Sequence, residues 1–297
     1  MKVKNLLKTS VSAAFLVSAL NSVAVLADTS MWKVSKGNDY VYIGGTVHML
    51  PESAFPLPAE FAAAYNATDT LVLEANLPEP TDTEAQTLLL REMAYSDGRS
   101  LAKVLSPEVY ERVGEYFSTY GIQLQQLDGY KPGFIVVQMM ALEMMKAKMD
   151  GEGVDSYFDK QAKADGRKLM YLETVESQIN LLANMGNGYE DAFIKMNMDL
   201  FGDYEQYYTD MISAWRTGNT DQLNKLVLEP ARTLDPLIYQ DIFVKRNTAW
   251  LPLIKQMFDN GSKELVLVGG GHLAGEHSVL VLLEREGYAV EQVTLSN

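Results

Sequence analysis

The chain has 297 residues, 47% of them hydrophobic and 22% charged, with 39 acidic side chains against 25 basic ones, three histidines and no cysteine. This composition suits a globular fold and excludes wholesale disorder, disulfides and any cysteine-based catalysis or lipid anchor. A net charge of −14 repels nucleic acid and anionic lipid, so neither is an expected partner.

At the N-terminus Lys2, Lys4 and Lys8 precede the mostly apolar run Val11 to Leu20, and Val25-Leu26-Ala27 ends in a small residue. This is the layout of a secretory signal peptide over residues 1–27, with cleavage after Ala27. The apolar run falls short of the roughly 20 continuous residues a membrane-spanning helix needs, so no stable membrane insertion is expected after cleavage. Taking its three lysines from the 25 basic residues leaves 22 against 39 acidic, a net −17 over residues 28–297. Export without disulfides suits a bacterial periplasm.

Met31 to Lys36 and Tyr40 to Thr46, joined by Gly37-Asn38-Asp39, read as a β-hairpin whose second strand delivers His48. Pro58 to Asn66 reads as a short helix. Asp69 to Asn76 holds a buried strand, Leu71-Val72-Leu73, that ends at Glu74. Thr81 to Tyr95 and Pro107 to Tyr120 are helical by period, with Ser106 and Pro107 at the N-cap and first position of the latter. Lys131-Pro132-Gly133 opens a helix running to Met149, whose Met139, Met140, Met144, Met145 and Met149 read as adaptable packing rather than a metal tract. Gly153-Val154-Asp155 starts a helix closed by Asp165-Gly166, and Lys168 to Leu172 is a strand finishing at Glu173. Val175 to Asn260 is helical, with breaks expected near Gly186, Gly218, Pro230 and Pro252. Glu264 to Val268 reads as a strand, His272 to Glu286 as a helix and Tyr288 to Thr294 as the last strand. The expected fold is α/β: a mixed sheet from N- and C-terminal strands, with a large helical insertion over about 131–260.

Two of the three histidines end the same pattern, Gly45-Thr46-Val47-His48 and Gly269-Gly270-Gly271-His272, each just after an apolar strand. A strand fixes the position of its C-terminal turn, and in open α/β sheets ligands bind beyond the carboxyl ends of strands. If the strands are neighbours, His48, Glu74, Glu173 and His272 crowd one rim. Two imidazoles and a carboxylate suit a divalent ion, and a second carboxylate can serve as general base. The bland reading of each is a hydrogen-bonded structural histidine, a helix-capping glutamate or a surface ion pair. The two imidazoles are expected to border one concave pocket with Glu74. Arg246, beside Phe243 and Trp250 on a core-like helix, needs a partner if buried. It and Asn247 are therefore expected to point inward from a helical roof over the rim. His277, five residues from His272, falls on another helical face and reads as surface. The glycines after Val268 do not match the dinucleotide fingerprint, and no Gly-x-Ser-x-Gly elbow is present.

Several blocks together span nearly all of Met31 to Val293. They are Met31-Trp32-Lys33-Val34, Tyr42 to His48, Leu73-Glu74, Gly153-Val154-Asp155, Leu172-Glu173-Thr174 with Glu176 and Gln178, Arg246-Asn247, Val268 to Gly275, and Gly287-Tyr288 with Val290. On these blocks the chain resembles the TraB/GumN family, which is related to the TIKI metalloproteases. The resemblance implies paired Gly-x-x-His motifs and a glutamate at a metal site, falling here on His48, His272 and Glu74, with Arg246 and Asn247 facing the same cavity. His277 and Ser278 depart from the acidic residue and glycine that relatives commonly carry. The function expected is that of a secreted, metal-dependent hydrolase of the TIKI peptidase kind, using manganese, cobalt or zinc on a peptide or small-molecule substrate. Glu74 would be third ligand or base, Glu173 the alternative base or a support to the ligands, and Arg246 would steady an oxyanion. The alternative is a non-catalytic periplasmic protein binding haem, a metal or a peptide in the same cavity.

Overall fold

The computed structural model describes residues 29–295 apart from 77, 79–81, 201–202 and 235. The expected signal peptide lies outside the described residues. The hairpin forms as its alternation and turn residues dictate: β1 (Met31–Lys36) pairs antiparallel with β2 (Asp39–Thr46), closed by Gly37 in the left-handed region at φ 62°. Further strands are β3 (Met49–Leu50), β4 (Thr70–Leu73), β5 (Gly151–Glu152), β6 (Lys168–Tyr171), β7 (Glu264–Gly269) and β8 (Ala289–Gln292). Six of them make one sheet in the order β6-β4-β7-β2-β1-β8, and β3 pairs with β5 separately, just beyond His48. The neighbours β6, β4, β7 and β2 are mutually parallel, whereas β1 lies antiparallel to both β2 and β8. The fold is thus α/β, a mixed sheet with a mainly helical middle, and that middle contributes β6 to the sheet and β5 to the pair with β3.

The central strands carry unbroken apolar runs because both faces of the sheet are covered. Leu71, Leu73, Leu265 and Leu267 pack on one face against Phe61, Phe158 and Trp215. Val72, Val266, Val268 and Ile43 pack on the other against Trp250, Ile254 and Leu283. A third core, free of sheet residues, joins Val113, Phe117, Ile135, Met139, Phe193 and Ile238 within the helical middle. Of the five methionines expected to pack, Met139, Met144 and Met149 are buried, but Met140 and Met145 are exposed.

Three expectations about helices need correction. Pro230 does not break its helix. The π-helical turn Asn224–Leu228 runs directly into Glu229–Leu234, and the carbonyl of Leu226, which a residue other than proline at 230 would bond, accepts instead from the Tyr207 hydroxyl at 3.3 Å. Pro252 likewise sits inside Lys245–Gln256, whose Trp250 and Ile254 are anchored in the core. His272 is not helical in the α sense. It lies on a 3₁₀ turn, Gly270–Leu273; Gly275 then takes φ 76° and Ser278 caps the true helix, Val279–Arg285. The helical-face argument that separated His272 from His277 therefore does not apply.

Candidate functional site

Parallel pairing sets the site. Thr46 lies opposite Gly269, and Leu73 opposite both Leu267 and Tyr171, so the four strands end along one rim. Just past those ends stand, in order across the sheet, Glu173, Glu74, His272 and His48. The pairing continues into the loops: the Glu173 N–H donates to the Glu74 carbonyl at 2.8 Å, and the Gly269 N–H donates to Glu74 Oε1 at 2.7 Å. A Cβ placed on Gly269 would lie 3.4 Å from Glu74 Oε1, 3.6 Å from His272 Cδ2 and 4.0 Å from His48 Nε2. Both Gly-x-x-His turns therefore serve one place.

Each imidazole is held through Nδ1. Gly153 packs so closely on the His48 turn that a Cβ there would meet the His48 carbonyl oxygen at 2.1 Å, and the Val154 N–H donates to the Val47 carbonyl at 3.0 Å. That contact seats the first turn of the helix Val154–Asp165 against the loop, and Asp155 Oδ2 accepts from His48 Nδ1 at 3.1 Å. On the other side Asn247, 1% exposed, donates its Nδ2 to the carbonyls of His277 at 2.8 Å and His272 at 3.4 Å. Its Oδ1 is thereby turned to accept from His272 Nδ1 at 2.6 Å. Both rings carry a proton on Nδ1, and both Nε2 atoms face the recess beside Gly269 and Glu74. Phe243 and Trp250 flank the His272 ring, with centroids at 5.2 and 4.5 Å.

Arg246 joins the two halves. Its Nη2 donates to Glu74 Oε2 at 2.5 Å and to Glu173 Oε1 at 2.6 Å, and its Nη1 to His272 Nε2 at 2.9 Å. Gln178 bridges the two carboxylates from the far side, donating at 3.1 and 2.9 Å. Thr174 makes this possible by capping the helix Val175–Asn184, its hydroxyl accepting from the Ser177 N–H at 3.2 Å. The side chains of Arg246, Glu74 and Glu173 are 14%, 11% and 14% exposed, so this is a largely buried network.

Burial opposes the Glu74 charge, but the positive groups around it and the Gly269 N–H win, holding its carboxyl at about 2. Burial pushes His272 down to about 3, so it is neutral at ordinary pH and the permanent positive charge beside Glu74 is Arg246. His48 goes the other way, raised to about 9, foremost by the Asp155 carboxylate. Its side chain keeps 68% of its surface open.

The inward placement of Arg246 and Asn247 is borne out. Both histidines and Glu74 come together at the recess beside Gly269. The cavity at the site, about 360 Å³, is lined by Glu173 and Arg246, while Glu74 and His272 lie behind the guanidinium. His277 is partly exposed, its Nδ1 3.0 Å from the Tyr239 hydroxyl, and its backbone carbonyl orients Asn247. Two site residues were missed, Asp155 and Gln178. Each belongs to a block already singled out in the sequence, and each looked like ordinary helix-start chemistry.

The donor types fit a divalent metal: the neutral His272 imidazole, the His48 imidazole once it gives up its Nε2 proton, and one ionised carboxylate. As they stand, the guanidinium occupies His272 and Glu74, and among the described residues no three His, Asp or Glu side chains are grouped to hold an ion.

The TraB/PrgY/gumN family model matches residues 30–292. The chain belongs to that family. A relative is the metalloprotease TIKI1 of Danio rerio, 21% identical over 313 residues, covering 88% of this chain. The chain spans 62% of that relative's length. No solved structure matches the chain.

Proposed function

We propose that the chain is an exported, metal-dependent hydrolase acting on peptides, with a divalent ion held by Nε2 of His48, Nε2 of His272 and the carboxylate of Glu74. The observation that carries this reading is the matched support of the two rings. Each gives its Nδ1 proton to a fixed oxygen, of Asp155 or Asn247, and turns Nε2 to the same recess beside Glu74. Ligating histidines are held in this way, because the outer hydrogen bond fixes the tautomer and the ring plane. The donor set suits zinc, manganese or cobalt. Arg246 lies against the same acceptors a cation would use, so it gives up His272 when an ion binds and stays paired with Glu173. Family membership and the likeness to a metalloprotease support the hydrolase class. Export to a periplasm belongs to the same proposal and rests on the basic-then-apolar N-terminal stretch.

A bound ion would polarise a substrate carbonyl and acidify water. The rest is the work of side chains. Glu173 borders the open cavity and Glu74 does not, which favours Glu74 as ligand and Glu173 as the base that takes a proton from water and returns it to the leaving amine. Arg246 donates to the oxyanion that forms beside it. Asp155 and Asn247 keep the rings from turning.

The test loads metal-free protein with zinc, manganese or cobalt in turn and offers it a diverse peptide pool. Cleavage is expected, and Glu173→Gln should keep the metal while losing turnover by about 10²–10⁴-fold. Tight binding of haem or peptide with no cleavage under any of the three metals would replace this reading with that of a binding protein.

A further inference from the structure

The cavity beside Glu173 and Arg246 does not end at the charged network. It runs outward between the helix Val175–Asn184 and the helical stretch that carries Ile238, Ile242 and Arg246. Its walls are Leu181, Met185, Tyr189, Ile238 and Ile242, and its mouth carries Asn180, Asn184 and the ion pair of Lys245 with Asp241. Ser177, Leu181 and Asn184 fall three and four residues apart, so one face of a single helix supplies a whole wall. Met185, Tyr189, Ile238 and Ile242 turn one side to the core of the helical middle, yet leave an apolar recess with a charged floor and a carboxamide rim open on their other side. Its volume of about 360 Å³ is at the low end for ligand pockets, enough for a large side chain and its adjoining backbone.

We propose that this cavity is the specificity pocket of the enzyme, taking one bulky apolar side chain of a peptide next to the bond that is cut. The inference rests on the peptidase reading above. The charged floor explains the position: a side chain seated among Leu181, Met185 and Ile242 brings its own backbone carbonyl toward Glu173 and Arg246. The rim carboxamides of Asn180 and Asn184 can hold an extended backbone by hydrogen bonds, whatever its sequence. A small or acidic residue would fill the recess poorly or bury an unpaired charge.

Two variants and two readouts test the assignment. Leu181→Asp puts a charge on the wall, and Asn184→Trp, at an exposed position, narrows the mouth without touching a core. In metal-loaded wild type, cleavage sites in a peptide pool should share Leu, Ile, Met, Phe or Tyr at one position. Leu181→Asp should shift that preference toward Lys and Arg, and Asn184→Trp should lower kcat/KM for apolar peptides by about 10–200-fold, the worth of a misfitted apolar group. Metal content should be unchanged in both. Cleavage with the same preference in wild type and both variants overturns the pocket assignment and leaves the peptidase standing. If wild type cleaves nothing, equilibrium binding of the same pool to metal-free protein decides: apolar-selective binding lost in Asn184→Trp keeps the pocket, and binding that is absent or unaltered overturns it.

Discussion

Removal of the Arg246 guanidinium probes the network most sharply. The side chain balances two carboxylates, Glu74 and Glu173, that are 11% and 14% exposed and share one further donor, Gln178. Arg246→Met removes the guanidinium, which lies over the Trp250 ring with Cζ 4.6 Å from its centroid, and leaves both carboxylates facing each other. Stripping one partner from a buried charge cluster costs about 3–5 kcal/mol, because the remaining charge stays desolvated. A domain stable by about 5–15 kcal/mol would survive with its urea midpoint clearly lowered. In metal-free protein, followed by circular dichroism, Arg246→Met should therefore lose about 3–5 kcal/mol, and adding Glu74→Gln should restore part of it because the two sites are coupled. Arg246→Lys should lie between, since it keeps charge without the forked geometry that reaches three acceptors. A loss below about 1 kcal/mol for Arg246→Met, the size typical of a surface pair, would refute the picture of a desolvated cluster.

Other outcomes follow from the same geometry. Asp155→Asn should lower the titration midpoint of His48, followed by NMR of its ring, and weaken metal binding by about 10–100-fold; an unmoved midpoint would remove Asp155 from the site. Acid should destabilise the fold in two stages. His272 stays neutral in the fold down to about 3 but takes a proton near 6.5 when unfolded, so the unfolded state binds more protons and stability falls across that window. Glu74, held at about 2 against 4.5, adds a contribution that is complete above 4.5 and fades as pH drops toward 2. Urea midpoints measured from neutral pH down to about 4 should decline in wild type and decline less in His272→Phe, and a flat profile would contradict the buried neutral imidazole.

Much of this was legible in the sequence because it is written in short-range pattern. The hairpin, the buried runs 71–73 and 265–268, and the strand-end positions of Glu74, Glu173, His48 and His272 all follow from period and glycine placement. Asp155 and Gln178 were not legible as site residues. A carboxylate in the first turn of a helix is ordinary, and only the contact of Gly153 with the His48 turn gives Asp155 its role. Proline misled at 230 because a distant hydroxyl, that of Tyr207, takes the carbonyl left bare. The reach of Arg246 was hidden for a similar reason: the pattern gave it an inward direction but not its contact with His272.

His48 and His272 are proposed to hold one metal ion between them. The direct measurement is metal stoichiometry of the purified protein after loading with cobalt and dialysis, read by elemental analysis and by the cobalt absorption spectrum. Wild type and His277→Ala should each retain one ion per chain, and His48→Ala and His272→Ala should each lose it while keeping the wild-type circular dichroism. Retention of the ion by both folded histidine variants, or no ion in wild type, would contradict the account.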